Sequence, residues 1–293
     1  MTRRRKPTAA RNSGVLSCLR NLSVALLLLV GPASAQQSVE TPNFRDQAQR
    51  LAEPDLSART RIRFLTAVDY PPFNFLDQRG RLTGFHVDLA RAICEELNVT
   101  AICQIEARPF AELASALESG EGDAVVAGLA ITAENRARFA FTQPFLRFPA
   151  RFLVARGTDL SQSLRTGLAG AEIGVVAGSA HEAMLRSFFP QARAVAFDSP
   201  ADAQAALRSN RVRALFGDGV ALSFWQASEA AGECCEFAGG PYLSDRFLGE
   251  GLGIAVRGDD PQLAAAFDYA IGRIVRDKRL SELLLRYFPI SAF

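Results

Sequence analysis

The chain has 293 residues, 48% of them hydrophobic and 22% charged, with 33 basic against 31 acidic side chains. This near-balance, without a basic stripe interleaved with aromatics, excludes a nucleic-acid surface. The two histidines, His86 and His181, lie far apart, and no cysteine has a histidine neighbour at ligand spacing, so neither a metal nor a cofactor is expected.

The first 35 residues read as an export signal. Arg3, Arg4, Arg5, Lys6, Arg11 and Arg20 form a positive n-region, Leu22 to Val30 the apolar stretch, and Ala33-Ser34-Ala35 a small-residue cleavage site. The mature chain is therefore expected to begin at Gln36. The apolar run is too short for a transmembrane helix, and no later segment is long and apolar enough to span. Six basic residues leave with the signal, so 27 remain against 31 acidic ones and the mature chain is net negative. Gln36 to Arg59 is polar and aperiodic, which predicts a flexible lead-in over residues 36–60.

From Arg61 onward, strand and helix patterns alternate. Ile62 to Ala67 reads as a strand ended by Pro71-Pro72, and Asn74 to Arg81 as a turn-rich link. Ala90, Ile93, Cys94 and Leu97 mark one face of a helix over Val87 to Leu97. A strand is predicted at Ala101 to Ile105, a helix through Phe110, Leu113, Ala114 and Leu117, and a strand at Ala124 to Leu129. The pattern restarts with strands at Arg151 to Val154 and Ile173 to Ala177, then a helix at Ala180 to Phe189 and a strand at Ala192 to Phe197. A helix at Ala201 to Ser209, a strand at Arg213 to Phe216 and a helix at Val220 to Glu229 follow. A strand at Leu252 to Val256 and two amphipathic helices close the chain. Two similar α/β units, each with a mostly parallel sheet flanked by helices, predict two lobes with a cleft at the strand ends Tyr70, Gly128, Ser179 and Asp218.

The most informative stretch is DAVVAGLAITAENRARFAFTQPF, residues 123–145. An apolar strand ends in small residues, Gly128 and Ala130, and Thr132 can cap a short helix. Backbone N–H groups at such a junction form a cradle for an anion. The stretch resembles the signature of the amino-acid type, family 3, periplasmic solute-binding proteins of ABC transporters. The stretches AVDYPPFNF, GRLTGFHVDLARAI, ARPFAELASALESGEGDAV, EIGVVAGSAHEAML, RALFGD and LGEGLGIAVRGDDPQL follow the family pattern in order.

The resemblance implies a type II two-lobe fold that closes on its ligand like a hinged trap, as a monomer working with an inner-membrane ABC permease from the periplasm. It implies lobe one from residues 61–147 and 247–293, lobe two from 148–246, and crossings near Phe145–Pro149 and Tyr242–Gly249. It gives Tyr70 a stacking role against the solute, with Phe110 a second aromatic that also fits the core stripe of its helix. It gives Asp218 the role of pairing with a solute ammonium, although the same residue suits a helix cap. Gly178, Ser179 and Ala180 form a loop able to hold a carboxylate. The chain departs from the pattern at Asn135, where the family carries an arginine that grips the solute carboxylate, and at Ala130, often serine. Either Arg136 turns in to substitute, or the solute is not a standard α-amino acid. A disulfide between Cys94 and Cys103 is implied because some members bridge these elements; two buried thiols are the other arrangement. Cys234 and Cys235 are open between a vicinal disulfide and free thiols.

A receptor for a small polar, amino-acid-like or amine-bearing solute is the leading expectation. An enzyme on the same scaffold, similar to cyclohexadienyl dehydratase, needs a positioned acid or base; Glu134 and Asp218 are the carboxylates available, and no nucleophile–histidine–acid set accompanies them. A sensing partner of a membrane protein is the third reading, and no spanning helix supports it.

Overall fold

The computed structural model describes residues 48–289 and, ahead of them, Thr2, Thr41, Arg45 and Asp46. The export signal and its cleavage site after Ala35 lie outside the described residues. Among these, no helix is long and apolar enough to cross a membrane.

The chain opens with β1 (Ile62–Thr66), whose side chains are almost all buried, as expected of a central parallel strand. The segment expected to be a turn-rich link instead builds a small antiparallel sheet from β2 (Asp69–Tyr70), β3 (Asn74–Leu76) and β4 (Leu82–Thr83). Helix α1 (Phe85–Glu96) and β5 (Cys103–Ala107) follow. The strand starts two residues later than predicted, because Thr100–Ile102 forms a 3-10 turn; a two-residue shift leaves the same side chains on each face. Cys94 on α1 and Cys103 on β5 are joined by a disulfide with their Cα atoms 6.3 Å apart.

Helix α2 (Leu113–Glu118) leads to β6 (Ala124–Val125). This strand is much shorter than the predicted Ala124 to Leu129. Val126 still donates to the Leu65 carbonyl at 2.9 Å, but Gly128 takes φ 80 and turns the chain out of the sheet. Helix α3 (Ala133–Arg138) is capped by Thr132, whose hydroxyl accepts from Asn135 N, and runs into β7 (Phe139–Phe141). The first large sheet has the order β5-β1-β6, then a strand from the end of the chain, then β7.

The second sheet is built from β8 (Ala150–Ala155), β9 (Glu172–Val176), β10 (Arg193–Phe197), β11 (Ala214–Asp218) and β12 (Cys235–Tyr242). Between these strands run α4 (Ser161–Arg165), α5 (Ala180–Phe188), α6 (Pro200–Arg208) and α7 (Gly219–Gln226). The order is β10-β9-β11-β8-β12, with β8 antiparallel to both of its neighbours, so the sheet is mixed rather than wholly parallel. Strand β12 went unpredicted because its Gly239-Gly240-Pro241 reads as a turn; the sheet places this bulged segment on an edge, where proline is tolerated. Cys234 and Cys235, at the start of β12, form a vicinal disulfide.

After α8 (Asp245–Leu248), β13 (Ala255–Arg257) enters the first sheet antiparallel to β6 and β7. The last helices, α9 (Pro261–Arg276) and α10 (Arg279–Tyr287), bury Phe267, Ile271, Ile274, Leu280 and Leu284 in the same apolar cluster as Ile62, Phe64 and Ile93. The two crossings between the sheets run side by side. Phe145 N donates to Leu252 O at 2.9 Å and Leu252 N to Leu146 O at 2.7 Å. Gly251 takes φ 107, and a Cβ there would collide with the Leu146 carbonyl, so only glycine fits.

The lead-in, expected to be flexible, is anchored over its described part. Arg45 and Asp268 form an ion pair with side chains 5% and 14% exposed, and Asp268 also accepts from Gln143 N at the first crossing. Arg59 pairs with Asp260 at 2.6 Å. These partners lie some two hundred positions away, beyond any local pattern.

His86, in the first turn of α1, is fully buried among Phe73, Phe85 and Phe145, and its Nδ1 lies 2.8 Å from Asn74 Oδ1. Because that oxygen accepts, Nδ1 carries the proton. Burial pushes the imidazole down from 6.5 to about 3. Below pH 6.5 the unfolded chain binds a proton that the folded chain refuses, so stability falls as pH drops through this window and is unaffected above it. Urea unfolding at pH 7 and pH 4.5 should show His86→Gln losing about 2–3 kcal/mol less than the native chain over that interval. Equal losses would show that His86 does not titrate on unfolding.

Candidate functional site

The carboxyl ends of β1, β6, β9 and β11 carry the residues singled out from sequence. Tyr70, just beyond β1, stacks on Phe73 with ring centroids 4.7 Å apart and stays 39% exposed. Its ring lies against Gly128, whose φ of 80, rather than the contact, is what favours glycine there. From the second sheet, Asp218 ends β11 and caps α7, its Oδ1 accepting from Val220 N at 2.8 Å and Ala221 N at 3.2 Å. Its Oδ2 makes no hydrogen bond and the carboxylate no ion pair among the described residues.

The charge of Asp218 reaches both sides of the cleft. Burial raises the Tyr70 phenol, and the Asp218 carboxylate adds to the rise. Burial lowers the His181 imidazole, with Asp218 opposing. Tyr70 lies in the small sheet after β1 and His181 on α5 beside the second sheet. Ser179, His181, Phe216 and Asp218 line a common cavity of about 210 Å3 in the second lobe.

Asn135 turns inward, its amide donating to the Ala130 carbonyl at 2.8 Å. These two positions, where the family pattern has an arginine and often a serine, are therefore brought together but closed on each other. Arg136 does not take the missing place: it pairs with Glu250 at 2.5 Å, both half exposed, with its guanidinium 6.0 Å from the Phe141 ring. Phe110 is not a core residue. It opens a 3-10 turn ahead of α2, is 47% exposed and makes no ring contact among the described residues.

The loop before α5 is partly closed to an anion. Ser179 Oγ accepts from Glu182 N at 3.1 Å, and Glu182 reaches back to Gly178 N at 2.8 Å. The carboxylate of Glu182 thus stands where a solute carboxylate was expected, leaving Ala180 N–H as the loop donor without such a partner. Ser179-x-x-Glu182 is the spacing of a capping box, a signal present in the sequence. His181, two positions after the cap, is brought by that place to the cavity lining.

Two lobes joined by paired crossings, with an aromatic wall on one and a carboxylate on the other, define a two-lobe solute-binding receptor. Residues 62–290 match the family described as bacterial extracellular solute-binding proteins, family 3. The chain belongs to this family, and it is a receptor of the type that serves ABC importers. It is 31% identical over 246 residues to the L-arginine-binding protein of Pseudomonas aeruginosa, covering 83% of this chain and 93% of that one. It is 28% identical to the lysine/arginine/ornithine-binding periplasmic protein of Escherichia coli, covering 79% and 89%. Among solved structures, an ancestral cationic amino acid solute-binding protein is 26% identical, with 78% and 96% covered and a TM-score of 0.57. The L-cystine solute receptor of Neisseria gonorrhoeae has the same fold, at 20% identity, 79% and 94% coverage and a TM-score of 0.66.

Restoring the absent clamp is a direct test of its cost. Asn135→Arg is expected to tighten binding of α-amino acids over their decarboxylated amines by about 10- to 100-fold, the value of one charged hydrogen bond. Calorimetry on matched pairs measures it; an unchanged ratio would show that position 135 does not face the solute carboxylate.

Proposed function

We propose that this receptor captures a small organic solute by its positively charged nitrogen and passes it to an ABC permease in the inner membrane. The observation that carries this reading is Asp218: a carboxylate facing the cleft with Oδ2 unengaged and no cationic partner among the described residues. A hydrogen bond to such a charge contributes about 1.5–3 kcal/mol. The opposite lobe offers no guanidinium to a carboxylate, since Asn135 is folded onto Ala130 and Arg136 is held by Glu250. The solutes in the relatives' names, arginine, lysine, ornithine and histidine, all carry an ammonium group.

Tyr70 and Gly128 supply the stacking surface, Ala180 a residual backbone donor, and Ser179 the cap that orients its loop. Phe110 contributes at the exposed rim. The solute lies between a first lobe of residues 61–147 and 247–293 and a second of 148–246, whose approach traps it. The receptor acts as a monomer in the periplasm after cleavage behind Ala35, and performs no chemistry on its solute.

Two measurements test this. Calorimetry on the pairs L-arginine and agmatine, and L-phenylalanine and 2-phenylethylamine, should give affinities within about threefold in each pair, and Asp218→Asn should weaken the amines at least tenfold. An amino acid bound more than a hundredfold tighter than its amine would overturn the reading. Intact-mass analysis of exported protein should find Gln36 at the N-terminus; a retained signal would overturn the assignment to the periplasm.

A further inference from the structure

We propose that the cavity beneath Asp218 is a subsite for an apolar arm of the solute, which makes the cargo an amine carrying an aromatic ring or a compact branched hydrocarbon. This rests on the reading of Asp218 as the ammonium partner and adds the other end of the molecule.

The cavity lies on the face of the second sheet covered by α6 and α7. Its walls are Val176, Leu215 and Leu222 with the small residues Ala203 and Gly217, while Ser179, His181 and Asp218 stand with them as polar lining. Its volume of about 210 Å3 exceeds the ~150 Å3 of an apolar cavity that accepts benzene. An apolar floor with a few convergent polar groups is the usual make-up of a small-molecule pocket.

Gly217 is the telling residue. It occupies β11 directly before Asp218, where glycine weakens a strand. Neither backbone nor packing demands it: its φ is not in the left-handed region, and a Cβ would meet only Leu222, at an ordinary 3.5 Å. Gly174, on the neighbouring strand, differs, since a Cβ there would press on Leu215 at 2.7 Å. A glycine in a strand, with room beside it and a carboxylate after it, keeps open a space that another side chain would fill. That space adjoins the carboxylate, so a bound amine has a direct path for its hydrocarbon part.

The test uses ethylamine and 2-phenylethylamine, which share a head and differ by the ring, on the full mature chain. Calorimetry should find 2-phenylethylamine at least tenfold tighter. Gly217→Val should bring the two affinities together, and Gly217→Ala should narrow the gap without loss of thermal stability. Asp218→Asn should weaken both amines alike. Equal affinities in the native chain, or a ring preference that survives both Gly217 variants, would overturn the subsite while leaving Asp218 as the amine partner. A ring preference with no effect of Asp218→Asn would keep the subsite and remove the ammonium assignment. Failure of both amines to bind would overturn the inference.

Discussion

Two backbone hydrogen bonds, from Phe145 to Leu252 and from Leu252 to Leu146, hold the crossings of the chain together, and the cleft follows from them. The first sheet cannot be completed until β13 returns between β6 and β7, so the second sheet is an insertion carried on this paired ribbon. Gly251 lets the ribbon pair closely, because any larger residue meets the Leu146 carbonyl. Side-chain contacts gather at the same place. Arg136 reaches from α3 to Glu250 beside the return crossing, and Asp268 joins Arg45 to the outgoing one at Gln143. The Arg136 pair is exposed and contributes little by itself. The Arg45 pair is largely buried, and loss of Arg45 would leave a carboxylate without its counter-charge.

Much of the architecture was legible because it rests on local rules. Periodicity located the main helices, and Thr132 marked a helix start where its hydroxyl does cap. What stayed hidden depends on distant partners or on conflicting local signals. Strand β12 carries Gly-Gly-Pro and reads as a turn, yet it sits on a sheet edge that forgives both residues. The short β2, β3 and β4 lie among prolines, glycine and charges that read as linker. The lead-in looked unstructured because its aspartate partners are in α9 and at the residue before it.

At the site, residue identities were more legible than geometry. Tyr70 and Asp218 could be picked by position at strand ends, but not that the same Asp218 carboxylate caps α7. Asn135 announced a missing arginine; that Arg136 is turned toward Glu250 needs three dimensions. The anion loop at Ser179 illustrates the opposite failure. Its sequence held the explanation, since Glu182 at the third helical position closes the loop, and a capping box can occupy a site that looks open to a ligand.

In the proposed reading, Asp218 divides its two oxygens between architecture and cargo. Oδ1 starts α7, while Oδ2 makes no hydrogen bond among the described residues. Divergence of such a receptor toward new solutes is then uneven across its surface. A change at Asp218 alters the start of a helix along with recognition, whereas the side chain of Asn135, in the short helix α3, bonds only the carbonyl of the exposed Ala130 among the described residues. The departure from the family pattern falls at Asn135, whose side chain caps no helix, while the carboxylate that starts α7 is kept.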